Sequence, residues 1–337
     1  MKPEYWKTRL NDIDNVMRDV KKGIAEVICK SPGGRNIYIV RYGNTGRRGM
    51  NTANYSSACG AMDVSSYKRK NRPCAMLIGA VHGNEPEGIA AILNLISMIE
   101  TGKKLDGAAD NTFKDIADKM DLLLIPCANP DGRSRVPFES FVGVDFETFR
   151  YYSQGTWKNG DLCNWPDCKK VHPILNECDY LGGYFDDNGV NIMHDNFFNP
   201  MSQTTSKILE VAEKYAADFT IQLHGGDNCT AHMIQPAYTS GESMGLLNEL
   251  ALRVQDECDK ASLPYTVYPT ERREGIIPPP SFNFASAIHH VCGCASAVHE
   301  CNQGISDKEG ALTYEEIFKE HMILFKELFD FCIEKFR

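Results

Sequence analysis

Four short apolar runs constrain this chain more than any other feature of its sequence. They are CAMLIGAVHG (74–83), MDLLLIPCANPDG (120–132), DFTIQLHGG (218–226) and CASAVHE (294–300). Each is apolar at consecutive rather than alternate positions, and the first three run into glycine or proline turns. That pattern belongs to strands buried on both faces. Helical periodicity lies between them, in EPEGIAAILNLISMIE (85–100), SKILEVAEKYAA (206–217), ESMGLLNELALRVQDECDKA (242–261) and a closing helix over 314–336. Pro86 falls in a first turn, where proline is tolerated. Such alternation predicts an α/β fold: a mixed, mostly parallel sheet with helices on both faces.

The flanking segments fit that frame. Residues 8–22 read as an amphipathic helix, NIYIVRYG (36–43) as an early strand, roughly 44–72 as a polar connection and 273–284 as a loop. The 337 residues suit one large domain or two ordinary ones. A single α/β domain over 1–337 is expected, with an N-terminal helical segment at 1–25. Residues 133–186, rich in aromatics, glycine, proline and cysteine, read as a long inserted loop region, of the kind that often walls a site. No internal repeat is visible.

Charge narrows the partners. Lys and Arg number 36 against 45 Asp and Glu, a formal charge of −9, which disfavours nucleic acid and anionic membranes. The N-terminus is charged throughout, and no stretch approaches the roughly 20 apolar residues of a membrane span. The chain therefore reads as cytoplasmic. Its 13 cysteines are then expected as reduced, largely buried thiols. One group stands apart: Cys163, Cys168, His172 and Cys178 lie close in sequence, as ligands of a structural zinc or as ordinary thiols of the insertion.

Chemistry gathers at the strand ends, where open α/β sheets place their ligands. The pieces are His82-Gly83-Asn84-Glu85, Asn129-Pro130-Asp131-Gly132, Leu223-His224-Gly225 and His299-Glu300. One histidine at a strand end is more often a structural hydrogen bonder than a ligand. Two histidines and a glutamate together are the ligand set of a catalytic zinc that keeps one position open for water. His82 and Glu85, three residues apart across a strand-to-helix junction, can turn toward one point, with His224 arriving from another strand.

HGNE, NPDG, GVNIMHDNF (189–197), the strand-end LHG and a late glutamate, in that order over roughly 74–304, resemble the zinc carboxypeptidase family. The resemblance implies one zinc held by His82, Glu85 and His224, with Glu300 as general base and acid. It also implies an arginine that stabilises the oxyanion, some way after NPDG: Arg133, Arg135 or Arg150, of which Arg135 and Arg133 sit closest to the turn. A late-loop tyrosine of the family has no clear counterpart: Tyr265 and Tyr268 lie ahead of the Pro278-Pro279-Pro280 turn and read equally as strand residues. Family members that cleave chain ends carry an Asn-Arg clamp in the GVDxNRNF segment, and here Met193 and His194 stand in its place. No arginine occurs from 151 to 252, and histidine cannot copy a rigid two-pronged donor. The expected substrate is therefore a small peptide or modified amino acid, polar rather than simply C-terminal, met by Arg133, Arg135, Arg150, His194 or Arg272–Arg273. An N-acyl amino acid amidohydrolase of the aspartoacylase and succinylglutamate desuccinylase type shares HGNE, a strand-end histidine and a late glutamate. A catalytically inactive binding protein is the rival from another class, and the presence of all four core residues speaks against it.

Overall fold

A computed structural model describes residues 1–43, 72–237, 239–267 and 282–336. Tyr268, Arg272, Arg273 and the Pro278–Pro280 turn lie outside them. Seven strands form one sheet in the order β1-β2-β4-β3-β7-β9-β8. The four apolar runs supply its centre: β3 (Cys74–Gly79), β4 (Asp121–Ile125), β7 (Phe219–Gly225) and β9 (Ala295–Cys301). Neighbouring pairs among these are parallel, with Leu77 opposite Leu124 and Ile221, and His224 opposite Glu300. The margins run antiparallel through β1 (Ile24–Lys30), β2 (Asn36–Tyr42) and β8 (His232–Ile234).

Helices cover both faces, as the alternation predicts. Helices α1 (Leu10–Asp19), α2 (Glu87–Thr101), α5 (Gly241–Lys260) and α7 (Tyr314–Lys335) pack on one face over Leu77, Ile221, Leu223 and Ala297. Helices α4 (Gln203–Tyr215) and α6 (Phe284–Cys292) pack on the other over Met76, Ile78 and Val298. Helix α2 is buried along nearly its whole length, and its approach to the sheet demands a missing side chain. A Cβ on Gly88 would sit 2.7 Å from the Leu223 Cβ.

Three differences from the sequence reading have local causes. Strand β1 lies at the sheet edge, half exposed, so its apolar pattern is weak. The 133–186 stretch is not a plain loop: it holds helix α3 (Phe146–Gln154) and a hairpin of β5 (Gly155–Trp157) with β6 (Cys178–Leu181). Its aromatics close two small cores, around Phe141 and Phe149 and around Cys163, Cys168 and Phe185. Strands of three or four residues are too short to carry a period. Helix α6 begins where a loop was expected, capped by the Asn283 side chain accepting from Ser286 N. Every described cysteine is a free thiol. Among the described residues, no helix is long and apolar enough to cross a membrane.

Candidate active site

The strand order places one crevice where every motif ends. Strand β3 has β4 on one side and β7 on the other, so the connections leaving their carboxyl ends diverge there. His82 and Glu85 occupy the turn from β3 to α2, His224 lies within the last turn of β7, and Glu300 is its register partner on β9. Parallel partners point to the same side of a sheet, so His224 and Glu300 face the cavity together.

NPDG acts as a brace rather than as a reactant. Asn129 caps a short helix at 130–135 by accepting from Gly132 N at 2.9 Å. Buried Asp131 ties that turn to the β1–β2 hairpin, accepting from Ser31 Oγ, Gly33 N and the Arg35 guanidinium at 2.5, 3.0 and 2.8 Å. The metal motif then packs directly on the turn. A Cβ on Gly83 would fall 2.0 Å from Arg133 N, which only glycine avoids.

At the centre, the Glu85 carboxylate lies between two imidazoles. His82 Nδ1 is 2.8 Å from one oxygen and His224 Nδ1 is 2.9 Å from the other. Ligand atoms of the three residues fall within 4.8 Å of one another, and all three are buried. Burial pushes the Glu85 carboxyl up, but the two imidazoles outweigh it and hold it down at about 2. His224 is pulled down by burial and up more strongly by Glu85, and ends above its ordinary value. His82 Nε2 sits 3.2 Å from Asn191 Oδ1, so an N–H there leaves Nδ1 as the ligand nitrogen. These donors suit zinc: two nitrogens and one carboxylate, with ring orientation set from outside.

The cavity above them has a volume of about 610 Å³. Glu300 lines it with His82, Glu85 and His224, as do Arg150, Lys169, His194, Met193, Trp165 and Tyr184. Burial raises the Glu300 carboxyl to about 7, with Glu85 adding to the rise and His224 opposing it. Tyr184 stacks on His82 with ring centres 4.0 Å apart.

The arginine expectations need correction. Arg133 is buried at 3 % exposure and directs its guanidinium to the carbonyls of Gly83, Val136 and Phe138. Arg135 pairs with Asp187 and the carbonyls of Gly182 and Phe185. Both act as struts behind the wall, and neither lines the cavity. Residues this close to NPDG serve as donors to the turn and its neighbouring loops. Arg150 does line the cavity, although one of its nitrogens bonds the Cys163 carbonyl and Asn164. His194 lines it as a neutral ring, held down at about 3 by burial and then by Lys169 and the neighbouring imidazoles. Tyr265 faces away and stacks on His299. Asp195 accepts three backbone N–H groups and is a loop staple.

Three residues were not read from sequence. Tyr184, Asn191 and Lys169 all come from the irregular 157–194 stretch, where no periodicity marks a side chain as inward. Only the likeness of GVNIMH to the clamp segment drew notice to the neighbours of Asn191. Among the described residues the Cys163 group does not bring three ligand atoms within 4.8 Å of one another, although Cys163 and Cys168 share a small core; His172 Nε2 accepts from Asn191 N at 2.7 Å, and Cys178 Sγ bonds the Leu175 carbonyl.

Comparison with known proteins agrees with this geometry. The sequence matches the model of the zinc carboxypeptidase family over residues 14–277. No curated protein matches it. Among solved structures, a metallo-carboxypeptidase from Burkholderia cenocepacia superposes with a TM-score of 0.58 at 10% identity, covering 95% of this chain and 67% of that one. A Pseudomonas aeruginosa metallo-carboxypeptidase in complex with (2-guanidinoethylmercapto)succinic acid gives 0.56 at 11% identity, over 97% and 68%. Bovine thrombin-activatable fibrinolysis inhibitor, in complex with tick carboxypeptidase inhibitor, gives 0.58 at 12% identity, over 98% and 99%. At such identities the likeness is one of fold.

Proposed function

Because this chain belongs to the zinc carboxypeptidase family, we propose that it hydrolyses the terminal amide bond of a small peptide or modified peptide, with the substrate's carboxylate met by Lys169. The observation that carries the reading is the pairing, in one cavity, of the His82–Glu85–His224 centre with Glu300 beside it. The protein is a zinc-dependent metallocarboxypeptidase-like hydrolase. His82, Glu85 and His224 are the residues that would hold the zinc, which when bound polarises a carbonyl and acidifies water.

The rest falls to the chain's own groups. Glu300 takes the proton from the attacking water and returns it to the leaving amine, and its burial keeps proton affinity high enough for both. Tyr184 covers His82 and excludes water from that side. Arg150 is the arginine left to face a developing oxyanion. Neither Arg150 nor Lys169 has an ion pair among the described residues, but Arg150 is held by the Cys163 carbonyl and Asn164, whereas the Lys169 ammonium lies 4.7 Å from the centre of the Trp165 ring. It is a point charge rather than a fork, so it attracts a carboxylate without fixing its plane. Free acids are then favoured, by less than an arginine clamp would give.

The test compares peptides with free and amidated C-termini. Lys169→Met is expected to raise KM for the free acid on the order of 10-fold, with kcat and the amidated peptide little changed. Equal rates on acid and amide in the parent would reject the carboxypeptidase reading. Turnover confined to N-acyl amino acids would move the assignment to an amidohydrolase.

A further inference from the structure

The strand that presents Glu300 has a second side. Successive strand residues point to opposite faces, so with Glu300 in the cavity, His299 and Cys301 turn toward the closing helix α7. There they meet Glu320 and His321. Relative exposures of the four are 0, 0, 1 and 0 %, so they share a dry interior. Ligand atoms of Cys301, Glu320 and His321 lie within 4.8 Å of one another.

The hydrogen bonds at this cluster are those of a prepared ligand set. His321 Nδ1 lies 2.8 Å from the Ile317 carbonyl. A carbonyl only accepts, so Nδ1 carries the proton, and Nε2 is left buried with no hydrogen-bond partner among the described residues. One nitrogen fixed on a backbone carbonyl and the other open is the habit of a metal-bound imidazole. His299 Nε2 sits 2.7 Å from Glu320 Oε1 and orients that carboxylate, while its Nδ1 is also buried and has no partner among the described residues. Unsatisfied polar atoms in an interior this dry cost stability unless something binds them.

We propose that Cys301, Glu320 and His321 form a second metal site, structural rather than catalytic, for zinc or a similar thiophilic divalent cation. The charges balance: a thiolate and a carboxylate neutralise a dication, and a neutral imidazole adds nothing. The bound ion would join the end of β9 to α7, one residue beyond Glu300, and so fix the strand that aims the base. With no opening to solvent at these four residues, the metal enters as the chain folds.

Metal content and a sulfur signature test the proposal. The purified protein is expected to hold about two zinc equivalents. Cys301→Ser, Glu320→Gln and His321→Gln should each leave about one, as should the His82→Ala, His224→Ala pair. Cobalt separates the sites, because the cavity centre contains no thiolate. A near-ultraviolet sulfur-to-cobalt charge-transfer band is expected in the parent, in the His82→Ala, His224→Ala variant and in Cys163→Ser, and is expected to vanish in Cys301→Ser. One equivalent in the parent without that band overturns the site, as does a band that survives Cys301→Ser. If Cys301→Ser does not fold, the parent's zinc count and cobalt spectrum still decide. Loss of the cavity centre would leave this band intact, so failure of the proposed function and failure of this site give different results.

Discussion

At the residue scale, the proposed function rests most on Glu300 and Asn191. Glu300→Gln keeps the fold and the cavity metal but cannot accept a proton, so kcat is expected to fall on the order of 100-fold or more. Activity within a few-fold of the parent would remove Glu300 from the mechanism. The same carboxylate should set the acid limb of kcat/KM. Burial raises it to about 7, and only the ionised form is a base, so activity falls as pH drops through its pKa. Bound zinc adds positive charge nearby and favours ionisation, so the midpoint should lie at or below that value. A limb that persists in the residual rate of Glu300→Gln would belong to another group. Asn191 acts through His82: it orients the ring from its far nitrogen, 3.2 Å away. Asn191→Ala is expected to weaken zinc on the order of 10- to 100-fold, read by competition with a chelating dye. Unchanged affinity would make that contact incidental.

Between elements, the decisive joint is the packing of the NPDG turn on the β1–β2 hairpin and on the metal motif. Asp131 accepts from four donors, three on residues 31–35 and a fourth from Asp187 N at 3.1 Å. Asp131→Ala leaves these groups facing an empty acceptor site, and should cost on the order of 3 kcal/mol in denaturant unfolding. A loss below about 1 kcal/mol would mean that water replaces the carboxylate. The elements themselves were mostly readable. Strands β3, β4, β7 and β9 announce themselves because both faces are buried and every position is apolar. Helix α3 and the β5–β6 hairpin do not, because their apolar residues serve small local cores rather than one face of a regular element.

Across the molecule, we propose that residues 1–337 act as one domain, since α1 and α7 pack in the same core as β3 and β7. Zinc should then stabilise the whole. Stripping it is expected to lower a single unfolding transition, by on the order of 4 kcal/mol where free zinc had stood a thousandfold above its Kd. Two separated transitions by calorimetry would divide the chain, and an unmoved midpoint would show that zinc does not bind the native state.

The sequence by itself determined the sheet, and it marked His82, Glu85, His224 and Glu300, which the fold gathers around one cavity. A strand end followed by HGNE or LHG encodes position along one element, and burial on both faces is written in local composition. Only the tertiary structure decided which cations reach the cavity. Arg133 and Arg135 lie beside the motif in sequence, yet they turn inward to carbonyls that appear only once the turn has packed. Lys169 and Tyr184 lie far from any motif but close over the metal residues, because the insertion folds back onto β3 and β7. The ligands of the proposed second metal site were hidden for the same reason. Cys163, Cys168, His172 and Cys178 are neighbours in sequence but do not bring three ligand atoms within 4.8 Å of one another among the described residues, while Cys301 meets Glu320 and His321 only when α7 closes on the sheet. Contacts between distant segments depend on how faces pack, and no local pattern records that.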